Sequence, residues 1–240
     1  MNILTGLVIL LWLLITPTDA AAMHIMEGFL PIQWAGFWSI VTLPFLIIGV
    51  RHISKIVKEN PKAILLIAFA GAFTFVLSAL KLPSITGSSS HATGVGLGAI
   101  LFGPAIMVVI GLIVLLFQAI LLAHGGITTL GANVFSMAII GPFVTYGVYI
   151  LLKRLGVPRG VSVFSGAAVG SFATYMVTAF QLALAHPSEV GGFYASWIKF
   201  VGVFGVTQIP ISIIEGILTV MVINLLYVYS KQEIEGLNLS

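Results

Sequence analysis

Met23-His24 and His91 are the residues of this chain whose types permit chelation of a metal ion. A cut after Ala22 would leave a free amine on Met23 and a histidine at the second position. The amine nitrogen, the backbone nitrogen of His24 and its imidazole can then close adjacent chelate rings on one ion. The backbone nitrogen has to lose its proton, which a strongly binding divalent ion can bring about. The imidazole of His91 would add a fourth nitrogen. Four nitrogens in or near a plane suit Ni(II) and Cu(II), accommodate Co(II), and disfavour zinc, which prefers a tetrahedron. Without the cut, the amine is a peptide nitrogen and the chelate does not exist.

The remaining reactive side chains read as less direct participants. Cysteine is absent, so disulfides, thiolate metal sites and cysteine nucleophiles are excluded. His52 sits in a basic stretch and reads as solvated. His124 ends an apolar run before Gly125-Gly126, where a cation favours the helix dipole and glycine caps; it could also orient a ligand histidine. His186 precedes Pro187 and reads as an ordinary loop residue. Glu27 reads as an anchor for the segment that follows Met23. Glu215 lies inside the last apolar run, where a carboxylate is a functional candidate by default, with Gln208 or Lys199 as partner. A serine hydrolase using Ser90 or Ser165 is disfavoured, because neither serine is paired with a histidine at a facing helix position. No G-x-x-x-x-G-K-[ST] loop occurs, so energy for active transport would come from another subunit.

The elements that must position these residues are transmembrane helices. Of 240 residues, 59% are hydrophobic and only 7% charged, and the mean hydropathy is +1.17. A soluble domain carries about 25% charged residues. The net charge of +3 is too small and scattered for a nucleic-acid partner. Residues 1–22 have the form of a cleaved signal peptide, with an uncleaved signal anchor or an extra helix as the alternative: an apolar core from Ile3 to Ile15, a break at Pro17, and Ala20-Ala21-Ala22, behind a Met1-Asn2 start without a basic residue. Residues 23–240 then form a single membrane domain. Its expected spans are Trp34–Val50, Ala63–Leu80, Val95–Ala123, Leu130–Leu152, Gly160–Ala185 and Trp197–Tyr229. Arg51, Lys55, Lys58 and Lys62 cluster between two spans, Lys153, Arg154 and Arg159 between two others, and Lys231 follows the last. The positive-inside rule places all three on the cytoplasmic side of a plasma or inner membrane. Parity then requires Val95–Ala123 to break near Gly103-Pro104 into two helices, giving about seven. The first piece can be short if the loop before it dips into the bundle. Irregular backbone at that depth is tolerated where protein buries it or it lines a cavity, which makes the loop a candidate site. The small-xxx-small pairs Ala68/Ala72 and Gly166/Gly170 predict close helix packing.

Three motifs carry a resemblance to a known family. Met23-His24-Ile25-Met26-Glu27-Gly28-Phe29-Leu30-Pro31, Gly87-Ser88-Ser89-Ser90-His91-Ala92-Thr93-Gly94, and Leu97-Gly98-Ala99-Ile100-Leu101-Phe102-Gly103-Pro104 resemble CbiM. That family provides the substrate-capture (S) component of energy-coupling factor (ECF) cobalt transporters. Leu122 to Asn133 looks like the same family. The resemblance implies an all-α integral membrane protein with a seven-helix S-component fold and an N-terminal segment tucked into the bundle. It implies ligation by the Met23 amine, the His24 backbone nitrogen and imidazole, and the His91 imidazole. It implies a transporter subunit rather than an enzyme, capturing Co(II) outside for cobalamin synthesis. Its partners would be a transmembrane coupling (T) subunit, ATP-binding cassette ATPase subunits and a small membrane subunit. Nickel relatives share the site, so an Ni(II) S component is the alternative; an S component for an organic vitamin would need no free N-terminus. Ala92 departs from the family pattern, where proline is common, and implies a less rigid loop.

Overall fold

The computed structural model describes residues 24–83 and 89–230. The expected signal peptide and Met23 lie outside the described residues, as do positions 84–88 and Lys231.

Polar side chains sit inside this molecule and apolar ones outside. Thr74, Ser78, Gln118, Thr145, Thr174, Gln181, Gln208 and Glu215 are fully buried, while Ile40, Leu43, Ile47, Leu65, Ile120 and Ile198 are exposed. A water-facing surface of that kind would aggregate; a lipid-facing one is what a membrane bundle needs.

The described residues form seven helices. These are α1 (Ile32–Glu59), α2 (Ala63–Ala79), α3 (Val95–Phe102) and α4 (Pro104–Leu121), then α5 (Leu130–Arg154), α6 (Arg159–Ala185) and α7 (Gly192–Tyr229). Five of them, α1 and α4 to α7, are long and apolar enough to cross a membrane. The 17 residues of α2 are apolar but shorter. The eight residues of α3 rise only about 12 Å at 1.5 Å per residue, so α3 does not cross by itself. Against the expectation of about seven transmembrane helices, the described residues hold seven helices, of which five have the length and composition of a span. All eight residues of α3 are buried, as are Ser90, His91 and Thr93 before it. Ser90, His91 and Thr93 are thus enclosed by the bundle together with α3. A short antiparallel pair, β1 (Leu82–Pro83) with β2 (Ser89–Ser90), brings its two strands together.

The turn between α3 and α4 is dictated by Gly103. Its φ of +85° and ψ of 161° belong to a region essentially closed to residues with a Cβ, and Pro104 starts the next helix where its missing N–H costs nothing. This corner lines a 490 Å³ vestibule with His52, Lys55, Lys153 and Arg159. It thus lies at the basic end of the bundle, and α1 runs from there back to the buried segment at Ile25. Within α5, residues Val134–Ile140 form a π-helical stretch. Gly166 and Gly170 face Thr145 of α5, so that small-residue pair serves packing inside the chain. Ala68 and Ala72 instead line an apolar groove between α2 and α4.

Replacing Gly103 with alanine forces a Cβ into that backbone geometry and should cost about 1–3 kcal/mol. Thermal unfolding of the detergent-solubilised protein should show a lower midpoint for Gly103→Ala. The control Gly147→Ala, helical with open space around its Cα, should not shift downward.

Candidate metal centre

Three imidazoles converge where two irregular loops and the N-terminal segment meet. His24, His91 and His124 each offer one ring nitrogen within 4.8 Å of the others. None is more than 3% exposed. The rings of His24 and His91 stack with centroids 4.6 Å apart and planes 29° from parallel. His124 stands edge-on, 4.2 Å and 80° from His24, and 5.1 Å and 72° from His91.

Segment 24–31 is held by backbone pairing that imitates a strand. The Ile25 N–H donates to Asn133 Oδ1 at 2.8 Å, and Asn133 Nδ2 donates to the Ile25 carbonyl at 3.0 Å. Thr129 Oγ1 donates to the same carbonyl at 2.6 Å. One asparagine thus satisfies both backbone groups of a buried residue, which water cannot reach. Further out, the Glu27 carboxylate accepts from the N–H groups of Ile127 and Thr128 and from the Thr128 hydroxyl. These bonds, the Thr128 hydroxyl first, hold Glu27 below the usual carboxylate range, as expected when donors favour the charged form. The latch is therefore complete at neutral pH and is lost only as pH falls through that lowered value. A Cβ built on Gly126 would lie 2.5 Å from Glu27 Cα, so glycine is needed for this approach. His186, expected to be an ordinary loop residue, also grips the segment: its Nε2 lies 2.9 Å from the Phe29 carbonyl.

The loop carrying His91 is fixed from α6 and α7. Tyr175 Oη accepts from the His91 N–H at 2.7 Å and donates to the His91 carbonyl at 2.9 Å. Glu215 accepts four bonds. The Thr93 N–H and Ser171 Oγ donate to Oε2 at 2.7 and 2.6 Å, and Thr93 Oγ1 and the Gly94 N–H donate to Oε1, both at 2.7 Å. Gln208 supports the cluster through Ser171 Oγ at 3.0 Å. Lys199, the other partner expected, is exposed, so the carboxylate is balanced by dipoles instead of a cation among the described residues. Ser90 Oγ pairs with Thr207 Oγ1 at 2.8 Å and not with a histidine, which leaves a serine nucleophile there without a base.

These contacts decide which ring nitrogens are open. His91 Nδ1 lies 2.9 Å from the Ala92 carbonyl, an acceptor only, so Nδ1 holds the proton and Nε2 the lone pair. His24 Nε2 lies 3.2 Å from Met137 Sδ; a thioether cannot donate, so the free lone pair of His24 is on Nδ1. His24 Nδ1, His91 Nε2 and His124 Nε2 are all buried without a partner. Burial pushes His91 down to about 4 and His124 to about 3, and His24 well below the usual imidazole value. All three are neutral at physiological pH, the state in which imidazole binds metal. The sequence reading of His124 as a cation completing a helix end is thereby corrected. Its ring is buried and neutral, turned inward by Ala123 at a positive φ of 47°. That conformation costs an L-residue about 1–2 kcal/mol.

A family model described as CbiM, cobalt uptake substrate-specific transmembrane region, matches residues 24–233. The chain belongs to the CbiM family. The cobalt transport protein CbiM of Acetohalobium arabaticum is 59% identical over 238 residues, covering 99% of this chain and 94% of that one. The cobalt transport protein CbiM of Nostoc is 56% identical over 237 residues, with 99% and 91% covered. Among solved structures, a truncated transition metal transporter superposes with a TM-score of 0.75 at 28% identity, over 87% of this chain and 99% of that one. A second transition metal transporter gives the same TM-score at 29% identity. Membership in the CbiM family is that of a transmembrane transport component, in keeping with the apolar exterior.

Sequence reasoning did not single out Asn133, Met137, Tyr175 or the inward role of His124. The one available signal was that a histidine precedes the Gly-Gly-Ile-Thr-Thr run and an asparagine follows its last threonine by four residues, types suited to pairing an extended segment. Two outcomes follow from the anchors. Asn133→Ala leaves the Ile25 N–H without its partner and the carbonyl with Thr129 alone, a loss of about 1–3 kcal/mol. Hydrogen–deuterium exchange across residues 24–30 should accelerate while that of α6 and α7 stays unchanged. Glu215→Leu strands four buried donors and should lower stability by about 3–5 kcal/mol, seen as a large fall in the thermal midpoint; Glu215→Gln should lose less.

Proposed function

We propose that this chain is the substrate-capturing membrane subunit of an ATP-driven ECF importer that takes up Co(II) for cobalamin synthesis. The observation that carries the reading is the identity of the open nitrogen on His24. Nδ1 closes a six-membered ring with the backbone nitrogen of the same residue, whereas Nε2 would require a strained larger one. In this reading residues 1–22 are removed as a signal peptide. Co(II) is then held by the Met23 amine, the His24 backbone nitrogen and Nδ1, and His91 Nε2. Neutral imidazoles in a dry pocket bind a divalent ion without first shedding protons, and the deprotonated backbone nitrogen lowers the net charge that has to be buried.

The basic side chains Lys55, Lys153 and Arg159 around the vestibule support a cytoplasmic assignment of that end. In this reading the mature N-terminus and the histidines lie toward the outside and the C-terminus inside. The chain has no nucleotide-binding loop of the P-loop type, so ATPase subunits, a T subunit and a small membrane subunit would complete the transporter. In this reading the apolar groove with Ala68 and Ala72 is the surface that meets the T subunit.

Intact mass of the membrane-extracted protein, repeated under native conditions with Co(II), tests the reading. A chain beginning at Met23 that gains one cobalt is expected, and His91→Ala should retain the fold but lose tight binding, by at least ~100-fold for a lost buried ligand. A chain that keeps residues 1–22 yet binds cobalt equally well would remove the amine from the site.

A further inference from the structure

We propose that the vestibule at the basic end of the bundle binds a phosphate oxyanion, and that its occupant is the headgroup of an anionic phospholipid. The inference stands apart from metal capture. It needs only a chain that lies in a bilayer, and it involves neither the histidine cluster nor an ion.

Three cations from three different helices converge on one cavity. Lys55 of α1, Lys153 of α5 and Arg159 of α6 line the same 490 Å³ space. One carboxylate, Glu59, stands among them, and it already lies 3.9 Å from Lys55. Lys153 and Arg159 have no carboxylate partner among the described residues. Like charges gathered in this way repel one another, and an anion between them removes that repulsion. Arg159 is also held in position. Its guanidinium lies over the Tyr227 ring, 4.0 Å from the centroid, and Nη2 donates to Asn224 Oδ1 at 3.2 Å. A guanidinium carries five N–H donors in a planar fork that matches phosphate oxygens, so one bond to Asn224 leaves most of the fork for a ligand. Tyr146, Tyr149 and Tyr227 line the cavity as well and bring hydroxyl donors.

The cavity is larger and more apolar than a bare phosphate requires. Its volume falls in the range of about 300–1,000 Å³ that holds a whole small molecule. The charged residues of the lining are exposed, whereas Leu101, Phe102, Val163 and Ile223 in the same lining are at most 4% exposed. The wall thus runs from a charged mouth to an apolar floor. A phospholipid has the same profile where its headgroup meets the glycerol and acyl chains. Basic pockets between transmembrane helices on the cytoplasmic side bind anionic headgroups, and the positive-inside rule assigns this end to that side. An occupant would bridge α1, α5 and α6 and brace the corner at Gly103-Pro104, which also lines the space.

Native mass spectrometry and thermal unfolding of the delipidated full chain in detergent, without Co(II), test the proposal. Titration with phosphatidylglycerol should give a one-to-one adduct and a higher midpoint. Phosphatidylcholine, whose choline cancels the phosphate charge, should give neither. Lys153→Gln combined with Arg159→Gln should weaken the adduct by at least ~10-fold. Lys58→Gln combined with Arg154→Gln removes as much charge from outside the cavity and should leave the adduct intact. Lys153→Gln alone, at an exposed side chain, should weaken it by at least ~3-fold and serves if the double variant does not fold. Equal affinity for the two lipids, or an adduct that survives loss of Lys153 and Arg159, overturns the proposal. Inorganic phosphate that raises the midpoint as much as phosphatidylglycerol, and loses that effect in the same variant, keeps the oxyanion site but overturns the lipid as its occupant. A protein that forms the lipid adduct yet takes up no Co(II) overturns the metal reading alone.

Discussion

Non-helical backbone placed inside a membrane bundle must find its own hydrogen-bond partners, because no water is there to supply them. Segment 24–31 and the loop ending at Gly94 are both of this kind, and most of the unusual polar residues of the chain are spent on them. Asn133 and Thr129 pair the peptide groups of Ile25. Tyr175 pairs both backbone groups of His91. Glu215 collects the donors of Thr93 and Gly94 together with Ser171. A carboxylate accepting four bonds at 2.6–2.7 Å can remain buried without a countercharge in contact. Each anchor comes from a different helix, so packing of α5, α6 and α7 is what fixes the positions of the histidines.

Beside these paired anchors, one ring nitrogen on each of His24, His91 and His124 stands open. The tautomers are set from behind, by the Ala92 carbonyl for His91 and by Met137 for His24. This is the usual way in which an outer group aims the lone pair of a ligand histidine. Keeping the rings dry also keeps them neutral. The burial that makes an unpartnered nitrogen unfavourable is thus the same burial that keeps each ring in its neutral, electron-donating form.

Much of this was legible in the sequence, and the part that was not has a common cause. The break at Gly103-Pro104 follows from local backbone chemistry, and the need for a dipping loop follows from counting charges between spans. Glu215 was recognisable as exceptional from its apolar surroundings, but its role as an anchor needed the loop from residue 93 brought against it. His124 was misread because glycine next to a helix end usually signals a cap; only the tertiary fold reveals that Ala123 takes the left-handed turn and sends the ring inward. Asn133 sits in a helix whose apolar periodicity says nothing about a partner 108 residues away. Local rules describe helices well, and they are silent about pairings between distant loops.

The distance along the chain between segment 24–31 and its cradle also has a temporal meaning. The groups that hold Ile25, Glu27 and Gly28 lie 100 to 108 positions further on. At about 5–20 residues per second, a ribosome needs roughly 5–20 s to produce them. Throughout that interval residues 24–28 have nothing to dock against. Once residues 124–133 are in place, the same bonds close over them. The order of synthesis therefore separates a period in which this segment is accessible from a later one in which it is sequestered, with no need for a dedicated factor to keep the two apart.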